Sequence, residues 1–450
     1  MKKQQHDFTQ GNIFKQLIVF SGPIMVANLL QTSYQFIDSL WIGNLLGANA
    51  LGAVAISGTL IFTVLSFVIG LNNAALTILS QQKGMDNEEG LKRYLNAFVV
   101  VLAVMSILLS VLGVLLARPL LHLLGTPEVM MDEATSYLRI TFLGILFLFG
   151  YNFISTVLRA LGDSKTPMRF VMIAVILNLL LDPILISVVG WGVNGAAIAT
   201  IIAQGTAFIY GILYVLYKKL APFQIPFIPS WKEVGLILNL GIPAGLQMAV
   251  ISAGSAAIMS VVTTFGSGVV AGFSAAQRLD SLLMLPAHAL GTAVSSMAGQ
   301  NIGVNNWSRV KDIAKYGVIY NFAIMFGIGV IVLFFAKYGI QIFIRDQGAV
   351  EFGTQYLQII ALCYPFLGIN FILNGIVRAS GAMYQVLVLN IISFWVLRYP
   401  LTALVSKIAG DKGIAIGMGL SFLISSFVAF LYFRYGKWRE KELFAQRKSE

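Results

Sequence analysis

Apolar runs of about 20 residues or more recur along the whole chain, and each is long enough to cross ~30 Å of hydrocarbon as a helix. Inside a bilayer every backbone N–H and C=O needs an internal partner, so such a chain folds as helices or as a closed barrel. Barrel strands would appear as ~10-residue segments of alternating hydrophobicity, which the long apolar runs are not. Composition agrees: 58% of the 450 residues are hydrophobic and 11% are charged, against roughly 25% charged in a soluble domain. A soluble globular protein and a disordered chain are both excluded. The hydrophobic fraction suffices for roughly twelve helices. The fold class expected is an all-α polytopic membrane protein of twelve transmembrane helices, in two six-helix bundles around a central cleft.

The runs place spans near 13–43, 50–80, 95–117, 133–158, 166–188 and 194–217. A basic, proline-bearing stretch, Lys218–Trp231, precedes six more near 234–264, 272–300, 314–336, 352–378, 384–406 and 413–434. The expected domains are an N-terminal lobe over 12–217, a cytoplasmic linker over 218–231, a C-terminal lobe over 232–435 and a basic tail over 436–450. With the N-terminus cytoplasmic, 22 of the 30 Lys and Arg residues fall inside and 7 outside, with Arg278 in a span. That bias predicts both termini in the cytoplasm of a multi-pass cell-membrane protein. The net charge of +11 is then a topology signal, and no soluble basic face exists for nucleic acid. A single cysteine, Cys363, and three histidines argue against a soft-ligand metal site.

The two halves repeat at a shift of about 220. Gly22-Pro23 matches Ile242-Pro243, and Gln81-x-x-Gly84-x-x-Asn87 matches Gln300-x-x-Gly303-x-x-Asn306. Arg159-Ala160-Leu161-Gly162 matches Arg378-Ala379-Ser380-Gly381, and Gly192-Val193 matches Gly413-Ile414. Paired six-helix bundles of this kind are predominantly a transporter architecture that works by alternating access.

Three acids lie deep in apolar spans: Asp38, Asp182 and Asp280. A charge at membrane depth is costly unless paired or hydrated, so each marks a functional position. On the first span Gln31, Tyr34 and Asp38 are spaced i, i+3, i+7 and share a face. On the fifth, Asn178 and Asp182 are one turn apart, and Pro183 removes a backbone donor and bends the helix. Thr200, near the start of the sixth, comes to the same depth. Two carboxylates in a partly dry site repel each other, which suits them to loading and releasing a proton. Asp38 and Asp182 have no acidic counterpart in the second half, where they align near Ile258 and Tyr399. On the eighth span Gln277, Arg278 and Asp280 form a polar group in which Arg278 and Asp280 point apart, so each needs another partner. Pro23 and Pro183 are the expected hinges.

These residues, together with Leu51-Gly52-Ala53, Gly192-Val193-x-Gly195-Ala196-Ala197, Ala275-Ala276-Gln277-Arg278-Leu279-Asp280 and Gln300-Asn301-x-Gly303, resemble the multidrug and toxic compound extrusion (MATE) family, most closely its DinF-like branch. The resemblance covers about residues 12–435. It implies a non-enzymatic antiporter, without cofactor, that exports amphipathic and often cationic organic compounds against inward H⁺ or Na⁺. By that resemblance Asp38 is the proton-linked acid, and Asn178, Asp182 and Thr200 complete the network, with Tyr34, Tyr137 and Asn152 around it. A Na⁺ ion, if used, would sit at Asp38, Asn178, Asp182 and Thr200. The sodium-coupled NorM branch carries an acid on the seventh span. Here Leu238–Thr264 holds neither Asp nor Glu, which favours coupling in the N-terminal lobe. The expected partners are toxic organic cations and the lipid bilayer around a monomer. The competing reading is a lipid-linked sugar flippase of the same superfamily, which would need several basic residues in its cavity.

Overall fold

The computed structural model describes residues 6–444, so Lys2, Lys3, Arg447 and Lys448 of the orientation argument, and the end of the basic tail, lie outside the described residues. Among the described residues there are helices and no strands. The helices are α1 (Ile13–Leu46), α2 (Ala48–Gly84), α3 (Glu88–Leu123), α4 (Glu128–Leu143), α5 (Ile145–Ala160), α6 (Lys165–Pro183), α7 (Gly192–Lys218) and α8 (Trp231–Val262). They continue with α9 (Ser267–Leu283), α10 (Leu285–Gly303), α11 (Trp307–Phe343), α12 (Gln347–Ala361), α13 (Tyr364–Ala379), α14 (Met383–Ile391), α15 (Tyr399–Ala409) and α16 (Lys412–Tyr435). Ten stretches are long and apolar enough to cross a membrane, and two bent pairs, α4 with α5 and α12 with α13, bring the total to twelve when each counts as one span. The pairs bend by 49° and 54°. The second bend coincides with Pro365 in the first turn of α13, which cannot donate to the preceding turn.

The repeated motifs have repeated geometry. Asn87 and Asn306 each cap the N-terminus of a helix, accepting from Gly90 N–H at 3.0 Å and Arg309 N–H at 3.1 Å. Each thereby satisfies one of the four orphan donors of a helix start. Gly162 and Gly381 both turn the chain at left-handed φ, +88° and +90°, where a β-carbon is disfavoured.

Two compact units result. One takes Gly22–Gly241 with the terminal stretch ending at Asp7, the other Phe8–Ser21 and the chain from Ile242 onward. These bounds differ from the expected 12–217, 218–231 and 232–435. Residues 8–21 join the second unit, where Phe8 N–H donates to Gln300 Oε1 at 3.1 Å and Phe8 O accepts from Asn301 and Arg309 at 2.9 and 2.8 Å. The extended linker joins the first, where Asn96 bonds both backbone groups of Phe227 at 2.8 and 2.9 Å and Arg93 pairs with Glu233 at 3.0 Å. Extended backbone lacks internal partners, so it takes them from whichever side chains offer them. Each repeat's first helix changes unit just before its proline, Pro23 or Pro243.

Candidate coupling site in the N-terminal unit

The site is assembled by helix ends and close helix contacts. Helix α6 stops at Pro183, and the next residues, Ile184–Val188, form a π turn. Val189 and Trp191 N–H donate to Ile184 and Leu185 O at 2.8 and 3.0 Å, five and six residues back, the wide spacing of a π turn. Helix α7 then packs on that turn through Gly195, whose Cβ position would lie 2.6 Å from Leu185 O. This approach sets Thr200, five residues on, beside α6. Helix α1 runs unbroken through Pro23 and carries Gln31, Tyr34 and Asp38 on one face.

Asp182 is 1% exposed and Asn178 2%. Asn178 Nδ2 donates to Asp182 Oδ1 at 3.1 Å and to Thr200 Oγ1 at 3.3 Å. Asp38 and Asp182 are electrostatic neighbours. Asp38 Oδ1, Asp182 Oδ2 and Asn178 Oδ1 are buried with no donor. An orphaned buried acceptor costs roughly 1–3 kcal/mol, so three together favour uptake of a proton or a small hard cation. Tyr34 lies beside the side chain of Gln204 in one pocket and in the electrostatic field of both acids, as does buried Tyr137. Gln31, Tyr34, Asn178, Thr200, Tyr151 and Gln204 line a pocket of about 10 Å³, close to the minimum for one water.

The structure thus brings together Gln31, Tyr34, Asp38, Tyr137, Asn178, Asp182 and Thr200. It does not bring in Asn152. Its amide donates to Leu148 O within α5 at 2.8 Å, and its neighbour Tyr151 lines the pocket instead, because adjacent helical residues face different sides. Gln204 and Tyr151 are additions. The spacing of Thr200 and Gln204, i and i+4 on α7, was the available signal for the first.

In the second unit Asp280 accepts from Tyr364 and, at 3.4 Å, from Tyr356. Arg278 is exposed, its guanidinium 5.9 Å from the Phe343 ring centroid, so the two charges indeed have separate partners. Gln277 is half-buried. Arg398 counts among the seven basic residues outside, yet it falls within the expected 384–406 span. It lies inside the observed span Met383–Ala409, 6% exposed, at the end of the π segment Ile392–Arg398 that joins α14 to α15.

A family model described as MatE matches the chain twice, over 23–184 and 243–404. The probable multidrug resistance protein YpnP of Bacillus subtilis (strain 168) is 62% identical over 98% of this chain and 99% of its own. The FAD transporter of Shewanella oneidensis is 26% identical over 94% of both. Among solved structures, the Vibrio cholerae MATE transporter VcmN in the bent form superposes with a TM-score of 0.91 at 23% identity, over 96% of this chain and 99% of that one.

Proposed function

The chain belongs to the MatE family, and from that premise we propose that it is a secondary active exporter of amphipathic, cationic organic compounds driven by inward protons. As a member it is a multi-pass membrane transporter, not an enzyme. The flippase reading is not favoured: the curated relatives named for resistance or export of drugs are matched over nearly their whole length.

The observation that carries the coupling is the pairing of Asp38 with Asp182 as electrostatic neighbours, with Asn178 bonded to Asp182 and Thr200. Two neighbouring carboxyls at membrane depth cannot both stay ionised without strong repulsion, so the pair holds a shared proton and exchanges a second one. Ionised Asp38 attracts a cationic drug. Protonation from outside removes that charge, the bonds of Asn178 to Asp182 and Thr200 rearrange, α1 bends at Pro23, and the drug leaves. A drug that prefers the ionised form lowers the proton affinity of the site by the same factor. The two lobes, with both termini cytoplasmic and the protein monomeric in the bilayer, then alternate access. The coupling ion is H⁺; the orphaned oxygens would also suit Na⁺, and the experiment separates the two.

Purified protein in proteoliposomes is given ΔpH or a Na⁺ gradient separately. Uptake should follow ΔpH, and Asp38→Asn should abolish it while the melting profile stays intact. Wild-type rates in Asp38→Asn would make Asp38 structural and overturn the mechanism. Uptake that follows Na⁺ alone would replace the proton.

A further inference from the structure

The two family matches have equal length and a constant shift of 220. At that shift Asn178 corresponds to Arg398 and Asp182 to Thr402, not to the neighbourhood of Tyr399 that the sequence motifs suggested. Gly192 and Gly413 are 221 apart, and the same shift carries Thr200 to Ser421. The correspondence is one of contacts as well. Asn178 Nδ2 donates to Thr200 Oγ1 at 3.3 Å, and Arg398 Nε donates to Ser421 Oγ at 3.4 Å. Each of the two spans also carries a π segment near these groups, Ile184–Val188 just after Asp182 and Ile392–Arg398 ending at Arg398, a distortion that recurs at functional positions, although the two segments fall at different points of the repeat. The polarity is reversed. Where the N-terminal lobe presents carboxyls, the C-terminal lobe presents a guanidinium.

That guanidinium is built in but not neutralised. It stacks 3.8 Å from the Phe394 ring centroid and 4.6 Å from that of Phe422. Arg398 Nη2 is buried with no partner, and so is the hydroxyl of fully buried Thr402, one turn on. Among the described residues no carboxylate pairs with Arg398, and Asp280 is taken up by Tyr364 and Tyr356. A desolvated, unpaired cation is among the most expensive things a protein interior can hold. Apolar faces on either side and hydroxyls at Ser421 and Thr402 leave one direction unsatisfied, and its complement is an anionic oxygen. The fork of a guanidinium matches a carboxylate or phosphate in two parallel hydrogen bonds.

We propose that Arg398, with Ser421 and Thr402, is a second recognition site of opposite polarity to the acid pair, taking the carboxylate or phosphate group of an organic anion or a lipid headgroup. Because Arg398 Nη2 is buried, the anion reaches it only when the packing around it shifts. The site enlarges the cargo class from cations to compounds that carry an anionic group. The cargo arm rests on the exporter reading, so the test measures binding with no gradient imposed.

Riboflavin and riboflavin 5′-phosphate share a fluorescent ring and differ in one phosphate. Equilibrium binding of both to the purified full-length chain in detergent should favour the phosphate at least ~10-fold, the scale of a charge-assisted hydrogen bond. Arg398→Gln should erase that preference while riboflavin itself binds unchanged. Arg398→Lys should retain part of it. Because Arg398→Gln removes an unpaired buried charge, its melting temperature should not fall; a merely structural arginine would lower it without touching the preference. Titrating phosphatidylglycerol into the micelles assigns the source: displacement of riboflavin 5′-phosphate names a lipid headgroup, no displacement names the cargo, and both keep Arg398 as the site. No preference in the wild type, or an undiminished one in Arg398→Gln, overturns the proposal. Failure of gradient-driven drug transport would overturn only the exporter reading.

Discussion

Adding one methyl group at Gly195 should uncouple the acid pair without touching an ionisable residue. An alanine Cβ there would lie 2.6 Å from Leu185 O, 2.7 Å from Leu185 C and 2.9 Å from Ile186 N. All three are backbone atoms of the π turn, so no rotamer change relieves the clash. Ordinary contact begins near 3.4 Å, and α7 must therefore retreat by about 0.8 Å. The Asn178–Thr200 bond starts at 3.3 Å and passes beyond hydrogen-bond range on that displacement. Overpacking costs about 1–3 kcal/mol and the lost bond about 0.5–1.5 kcal/mol. A misplacement near 1 Å lowers a positioned step by up to ~100-fold. Gly195→Ala should accordingly melt several degrees lower and lose at least ~10-fold of its ΔpH-driven uptake. Gly205→Ala is the control on the same helix, since the nearest atoms to its Cβ would be those of the Phe147 side chain, at an ordinary 3.5 Å. It should resemble the wild type in both assays. Wild-type uptake by Gly195→Ala would show that the α6–α7 contact does not set the site.

Asp280→Asn should weaken transport but leave its dependence on ΔpH unchanged, measured as the ratio of uptake with and without the gradient; loss of that ratio with drug binding intact would move coupling to the second unit. Tyr364→Phe withdraws a donor from Asp280 and should lower stability by about 1–3 kcal/mol, read as a fall in melting temperature that Tyr320→Phe does not share. Gln204→Leu removes the polar neighbour of Tyr34 and should shift the pH midpoint of uptake while the protein remains folded; an unchanged profile would exclude Gln204 from the network. On a Cys363→Ala background, a cysteine at Lys83 should react only from the cytoplasm and one at Ser267 only from outside, and reversed labelling would invert the orientation.

Hydropathy and periodicity alone fix twelve apolar stretches, because a bilayer penalises every unsatisfied backbone group and so permits almost nothing else. The same penalty singles out Asp38, Asp182 and Asp280 from one sequence, and helical spacing puts Gln31, Tyr34 and Asp38 on a common face. What remained illegible depends on contacts between helices. Asn152 and Tyr151 are neighbours that both carry hydrogen-bonding groups, and only the packing of α5 decides which one faces the pocket. Gln204 became part of the site because Gly195 lets α7 approach the π turn. Arg398 falls inside the expected 384–406 span, but a sequence does not say that it closes a π segment or is buried between Phe394 and Phe422. The unit bounds were set by hydrogen bonds between residues about 130 to 300 positions apart, Asn96 with Phe227 and Phe8 with Gln300 and Arg309. Local periodicity carries the bilayer's demand on each helix, whereas partner choice is a long-range property that only the folded chain determines.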